Sequence, residues 1–157
     1  MRRTLYVRRK DERQRQRSRW DFFSSLLKDM RNYKLIVEYE GTNYSGWQAQ
    51  TVLPTIQGSL VTAARRLTRD SEARVAGASR TDAGVHALGQ VANLKADTNI
   101  SCQDLLKGLN FFLPDDIVVK QAIEMPEDFD PRRGSKGKVY LYRIINRNHP
   151  SALMRNF

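Results

Sequence analysis

Apolar residues fall on every second position from Tyr33 to Tyr39, recur at helical spacing from Ile56 to Leu67, and repeat this change of period further along the chain. A period of two marks one face of a strand and a period near 3.6 one stripe of a helix, so the order of periods limits the available folds. In the first strand Tyr33, Leu35, Val37 and Tyr39 share one face, with Lys34, Ile36 and Glu38 on the other. The turn-rich stretch GTNYSGWQAQ follows. Pro54 and Thr55 then open a helix with Ile56, Leu60, Ala63, Ala64 and Leu67 on one side, Thr55 being suited to the N-cap. Residues 73–78 read as a short strand and 88–95 as the returning one. Ser101 and Asp104 resemble a capping box with a shortened acid, and the helix they start runs through Leu105, Leu106, Leu109 and Phe112 until Pro114 ends it. Residues 117–123 form an apolar strand, 124–137 a charged, turn-rich loop, and 139–146 one further strand. The order βαββαβ plus one strand predicts an α+β fold of ferredoxin-like type, with two helices on one face of an antiparallel sheet. The opposite face is left without a cover, and faces of that kind carry RNA or a second layer.

At 157 residues the chain suits a single domain with one core. It contains no apolar run of about 18 residues, which argues against a membrane-spanning helix. Cys102 is the only cysteine, and His86 and His149 lie far apart, so the expectation is metal-free chemistry in a reducing compartment, taken as the cytoplasm. The net charge of +10 points to a polyanionic partner, and its distribution says more than its sum. Residues 1–31 hold 11 basic against 4 acidic side chains, residues 32–130 hold 9 against 13, and residues 131–157 hold 7 basic and no acidic ones. The arginine-rich stretch 1–31 therefore reads as an extension, disordered or partly helical around Trp20 to Leu27, ahead of a domain at 32–157. Its acids, Asp11, Glu12, Asp21 and Asp29, argue against an organellar transit peptide. An RNA-binding arm and a start of translation at Met30 are the other readings, and the last is the expectation.

Between the second and third strands lies GASRTDAGVHA, Gly77 to Ala87, which packs small residues around one acid and one base. Small residues let a ligand approach the backbone closely. Taken alone, Asp82 reads equally well as a turn residue satisfying nearby amides or as a reactive carboxylate, and Arg80 as a solvent-exposed cation or a partner that keeps Asp82 ionised.

The segment resembles the signature of the TruA family of tRNA pseudouridine synthases, and four other stretches agree in the expected order. SGWQAQ (45–50) is similar to that family's GWQ segment, and TIQGSL (55–60) to its first helix entry. GLNFFLPDDIVV (108–119) resembles its second helix and following strand, while FDPR (129–132) with KVYLYRI (138–144) resembles its basic loop and aromatic strand. The match runs from about Tyr33 to the C-terminus. Ser79 departs from it, since the family more often has glycine there.

The resemblance implies isomerisation of uridine to pseudouridine in the anticodon stem-loop of tRNA, without cofactor or metal. It makes Asp82 the catalytic carboxylate, acting as nucleophile or base near C1′ and C2′ of the ribose. Arg80 would fill the space left by the flipped nucleotide or pair with phosphate. Tyr140 would stack on the uracil, a contact worth about 1–3 kcal/mol, whereas Tyr142 is assigned to the core. Arg132, Arg133, Lys136, Lys138, Arg143 and Arg147 would bind phosphates. Trp47 and Tyr44 are expected to anchor a loop and His86 to orient one, while His149 is expected to do neither. The resemblance further implies a homodimer and a second, similarly folded half, so that the chain is expected to represent the N-terminal part of a catalytic domain with a partly apolar open face. The competing expectation is a non-catalytic RNA-binding module, although an RNP1 pattern is absent from the sequence.

Overall fold

The structure, a computed structural model, describes residues 30–152 and residue 154. The readings placed on positions 1–29, including the helix near Trp20 and the start at Met30, concern residues outside the described ones.

The chain runs β1 (Met30–Tyr39), α1 (Ile56–Thr68), β2 (Arg74–Gly77), β3 (Ala87–Asp97), α2 (Cys102–Phe112) and β4 (Ile117–Met125). The four strands form one sheet in the order β2-β3-β1-β4, and every pairing is antiparallel. The expected βαββαβ order is therefore observed. Register follows the alternation in β1: Tyr33 stands opposite Leu94, Leu35 opposite Ala92 and Val37 opposite Gln90, so that one apolar row faces the helices. Slipping by a single residue would expose that row, which is why the pattern fixes the register. Tyr33, Leu35 and Val37 are fully buried together with Ile56, Leu60, Leu94, Leu105 and Leu109. Burial of each such side chain is worth about 1.5–3 kcal/mol.

Both helices start as their sequences dictate. Thr55 Oγ1 accepts the Gly58 amide at 3.2 Å, which satisfies one of the donors that a helix N-terminus leaves open. Ser101 Oγ accepts the Asp104 amide at 3.2 Å, and its hydroxyl donates to Asp104 Oδ2 at 2.7 Å. The short aspartate thus takes the serine hydroxyl, where a glutamate would reach back to the backbone. Asn110 joins α2 to the sheet, accepting the Val119 amide at 2.8 Å and donating to its carbonyl at 2.9 Å.

Two findings depart from the sequence reading. The face opposite the helices has a partial cover, because residues 126–133 fold back over it. Asn32, on that face of β1 and buried, donates through Nδ2 to the carbonyls of Pro126, Glu127 and Phe129 at 3.1, 3.3 and 2.9 Å. Lys95 donates to the Glu127 carbonyl at 2.7 Å, and Arg132 Nε to the Gly77 carbonyl at 3.2 Å. The second departure is the strand expected at 139–146, which does not form: residues 138–146 carry no regular structure and pair with no strand among the described residues. Period two makes a segment suitable for a ladder without supplying one, and a strand is stable only where its amides and carbonyls find a neighbour. Consequently Tyr142, expected in the core, is 84% exposed.

Candidate active site

The signature loop spans residues 78–86 between β2 and β3 and rests on a second loop, residues 40–47, that leaves the end of β1. Contact between the two is made largely by backbone. The Trp47 amide donates to the Thr81 carbonyl at 3.0 Å, and the Gly84 amide donates to the Tyr44 carbonyl at 3.2 Å. Within the signature loop the Val85 amide closes a turn on the Asp82 carbonyl at 3.3 Å. Side chains add three ties. Tyr39 and Thr81 share a hydroxyl hydrogen bond at 2.9 Å, Gln90 Nε2 donates to the Ser79 carbonyl at 2.6 Å, and the Gly41 amide donates to His86 Nδ1 at 3.2 Å. His86 thus ties the end of the signature loop to the second loop, the orienting role expected of it.

This close approach explains two glycines. Gly46 sits at φ 87°, and a Cβ there would lie 2.5 Å from the Thr81 carbonyl oxygen. A Cβ on Gly41 would lie 2.1 Å from the Val85 carbonyl oxygen. Neither position accepts a side chain without separating the loops. Trp47, 1% exposed, lies under Gly77 and beside Tyr39, at 6.1 Å between ring centroids, and the buried Tyr44 donates its hydroxyl to Asp116. Both aromatics are the anchors that were expected. Desolvation, and then the Asp116 carboxylate, push the Tyr44 phenol well above its ordinary range.

Against this fixed backbone the side chain of Asp82 stands apart. It is exposed and makes no side-chain hydrogen bond or ion pair with any described residue. The turn reading, in which it satisfies neighbouring amides, therefore lacks its bonds. Arg80 is likewise exposed and does not pair with Asp82. A loop clamped through its main chain thus presents one carboxylate and one guanidinium to solvent.

The remaining sequence candidates divide into two groups. Asp130 holds the segment after β4 in a tight turn: its Oδ1 accepts the amides of Arg132 at 2.7 Å and Arg133 at 3.3 Å. Those bonds, the Arg132 amide first, lower its pKa, and the Arg132 bond to Gly77 leads directly into the signature loop. Lys136, Lys138, Tyr140 and Arg143 lie on the exposed segment beyond, where Tyr140 is 64% exposed. The structure therefore brings Arg132 to the base of the signature loop but joins neither Tyr140 nor the other cations to Asp82. His149, Nδ1 beside the Pro150 carbonyl at 3.3 Å, is remote in sequence and contacts from the loop. What sequence reasoning missed is the bracing role of Gly41, Gly46, Tyr39 and Gln90; the turn-forming composition of GTNYSGWQ gave a signal for the two glycines alone.

The geometry coincides with a family boundary. A family model described as tRNA pseudouridine synthase matches residues 35–132, from inside β1 to the arginine bonded to Gly77. The chain belongs to the TruA family of tRNA pseudouridine synthases. It is 50% identical over 127 residues to tRNA pseudouridine synthase A of Acetivibrio thermocellus, covering 81% of this chain and 52% of that relative. Similarity to tRNA pseudouridine synthase A 2 of Clostridium perfringens is 46% over 128 residues, covering 82% and 52%, and to the Myxococcus xanthus synthase A 48% over 126 residues, covering 80% and 47%. The chain thus spans about half the length of these TruA relatives, and the clamped loop falls within the matched half.

Proposed function

We propose that this TruA-family chain takes part in converting uridine to pseudouridine in tRNA, with Asp82 as the carboxylate at the reacting sugar. The observation that carries this reading is the contrast within one loop: main chain tied at Thr81, Gly84 and Val85, catalytic candidate exposed and unpaired among the described residues. A loop that only needed a turn residue would use the carboxylate to cap its own amides.

The reaction is an isomerisation. The N1–C1′ bond breaks, the uracil turns, C5 bonds to C1′, and the proton lost from C5 is balanced by one gained at N1. A carboxylate beside the sugar serves it either by attacking C1′ or by removing a proton from C2′. The base must leave the stack to be reached, and Arg80, exposed on the same loop, fits the vacated space or a phosphate. Tyr140 supplies a flat ring for the extruded uracil once its segment is seated, and Arg132, Arg133, Lys136, Lys138 and Arg143 supply phosphate contacts. Uridines of the anticodon stem-loop are the proposed targets, and a homodimer the proposed working state.

Because the chain spans about half of its relatives, a second reading, RNA binding without turnover, is favoured if the other half supplies indispensable groups. One assay separates the two: release of tritium from C5-labelled uridine in tRNA, alongside RNA affinity. Catalysis by this chain predicts release that Asp82→Asn abolishes with affinity retained. Absence of release from the unsubstituted chain, with affinity intact, favours the binding module.

A further inference from the structure

On the sheet face opposite the helices, segment 126–133 leaves a cleft of about 410 Å³ above β2 and β3, within the range of small-ligand sites. Arg74 and Lys95, paired across the β2–β3 ladder, stand on its strand side. Phe129, Pro131, Arg132 and Arg133 stand on its loop side.

Its chemistry is more specific than a basic surface. Two carboxylates, Asp128 and Asp130, also line it, but Asp130 is engaged by the amides of Arg132 and Arg133. Lys95 spends one of its three donors on the Glu127 carbonyl, Arg132 spends Nε on Gly77, and Arg74 keeps only a long, exposed ion pair with Glu72 at 3.7 Å. Asn93 also lines the cleft and is 7% exposed. Its Nδ2 donates to Asn32 Oδ1 at 3.0 Å, and the three carbonyl bonds of Asn32 Nδ2 fix which atom of Asn32 is the acceptor. The orientation of Asn93 follows. Its Oδ1 is left buried with no donor, an exception to the rule that such atoms are bonded. One cleft therefore joins cations for an anion, the Phe129 ring for a flat group, and an enclosed acceptor wanting an N–H.

We propose that this cleft is a nucleotide site. Phosphate is taken by Arg74, Lys95 and Arg133, the base lies against Phe129, and an N–H of the base is directed at Asn93 Oδ1. Every nucleobase that pairs by Watson–Crick hydrogen bonds has an N–H, so the site selects a nucleotide and not one base. The nucleotide comes either from an RNA strand or from free solution. The first source rests on the RNA-modifying role proposed above, but the site itself is independent of Asp82.

The test uses the full 157-residue chain and follows the Asn93 side-chain amide by nitrogen-15 NMR during titration with AMP, CMP, ribose 5-phosphate and inorganic phosphate. AMP and CMP are expected to shift that resonance and to bind about tenfold or more tightly than ribose 5-phosphate, since stacking of a base on an aromatic ring contributes on that scale. Lys95→Gln and Phe129→Leu each weaken AMP, leaving the fold intact by circular dichroism. Equal binding of ribose 5-phosphate or inorganic phosphate would reduce the cleft to an anion site and overturn the proposal, as would an unmoved Asn93 amide. Competition of AMP with a short unstructured RNA assigns the site to RNA, and its absence assigns it to free nucleotides. Loss of tritium release in Asp82→Asn bears only on catalysis, so the two readings fail separately.

Discussion

At the level of single residues, the loop separates stability from chemistry. Asp82 holds nothing together among the described residues, so Asp82→Asn is expected to change unfolding free energy by no more than about 0.5 kcal/mol while removing any turnover. A fall in melting temperature comparable with a core substitution would show that the carboxylate has a structural role. Tyr44 is its opposite, a buried phenol bonded to Asp116. Burial raises its pKa, as it does those of Tyr33 and Tyr39. The folded state therefore keeps phenolic protons that the unfolded chain releases above its ordinary value of 10.0, and stability contributed this way is present below that pH and lost as the pH rises beyond it. Urea titrations from pH 8 to 11 should show this alkaline loss, with a shallower slope in Tyr44→Phe.

Between elements, the site depends on two backbones lying too close for side chains. Gly46→Ala combines a positive φ with a contact of 2.5 Å to the Thr81 carbonyl, and is expected to cost about 1–3 kcal/mol. The same substitution should slow turnover by moving residues 81–84, which a crystal structure or amide exchange of Thr81 to Val85 would register. Segment 126–133 carries a weaker, pH-dependent tie. The lowered pKa of Asp130 keeps it ionised in the folded state at pH values where the unfolded carboxyl is already protonated. Its contribution is thus present above its ordinary value of 3.8 and is lost as pH falls through the lower folded value. Amide exchange at Arg132 and Arg133 should accelerate through that acid range, and Asp130→Ala should remove the dependence.

For the molecule as a whole, the longest run of exposed apolar side chains among the described residues lies after residue 138. Val139, Leu141, Tyr142 and Ile144 are 97%, 71%, 84% and 85% exposed on a segment without a ladder, the kind of strand that seeks another edge. Leu141→Lys with Ile144→Lys is expected to leave the melting temperature within about 2 °C, given how little surface surface substitutions disturb, and to reduce self-association measured by sedimentation velocity. Unchanged association would place the adhesive surface elsewhere.

Legibility followed the range of the interactions. The periods of β1 and α1, the caps Thr55 and Ser101, and the order βαββαβ were readable because each depends on neighbours in sequence. Asp82 was readable as a candidate because five segments occur in the right order around it, and Trp47 because a large aromatic in a turn needs somewhere to pack. The three carbonyls on Asn32, the unpaired oxygen of Asn93 and the docking of Gly41 and Gly46 against the signature loop join residues tens of positions apart, and no local pattern encodes them. The segment 139–146 shows the same division from the other side. Its alternation determined that it can be a strand, and only the tertiary structure decided that here it is not one, because a ladder needs a second backbone alongside and neither edge strand, β2 or β4, pairs with this segment.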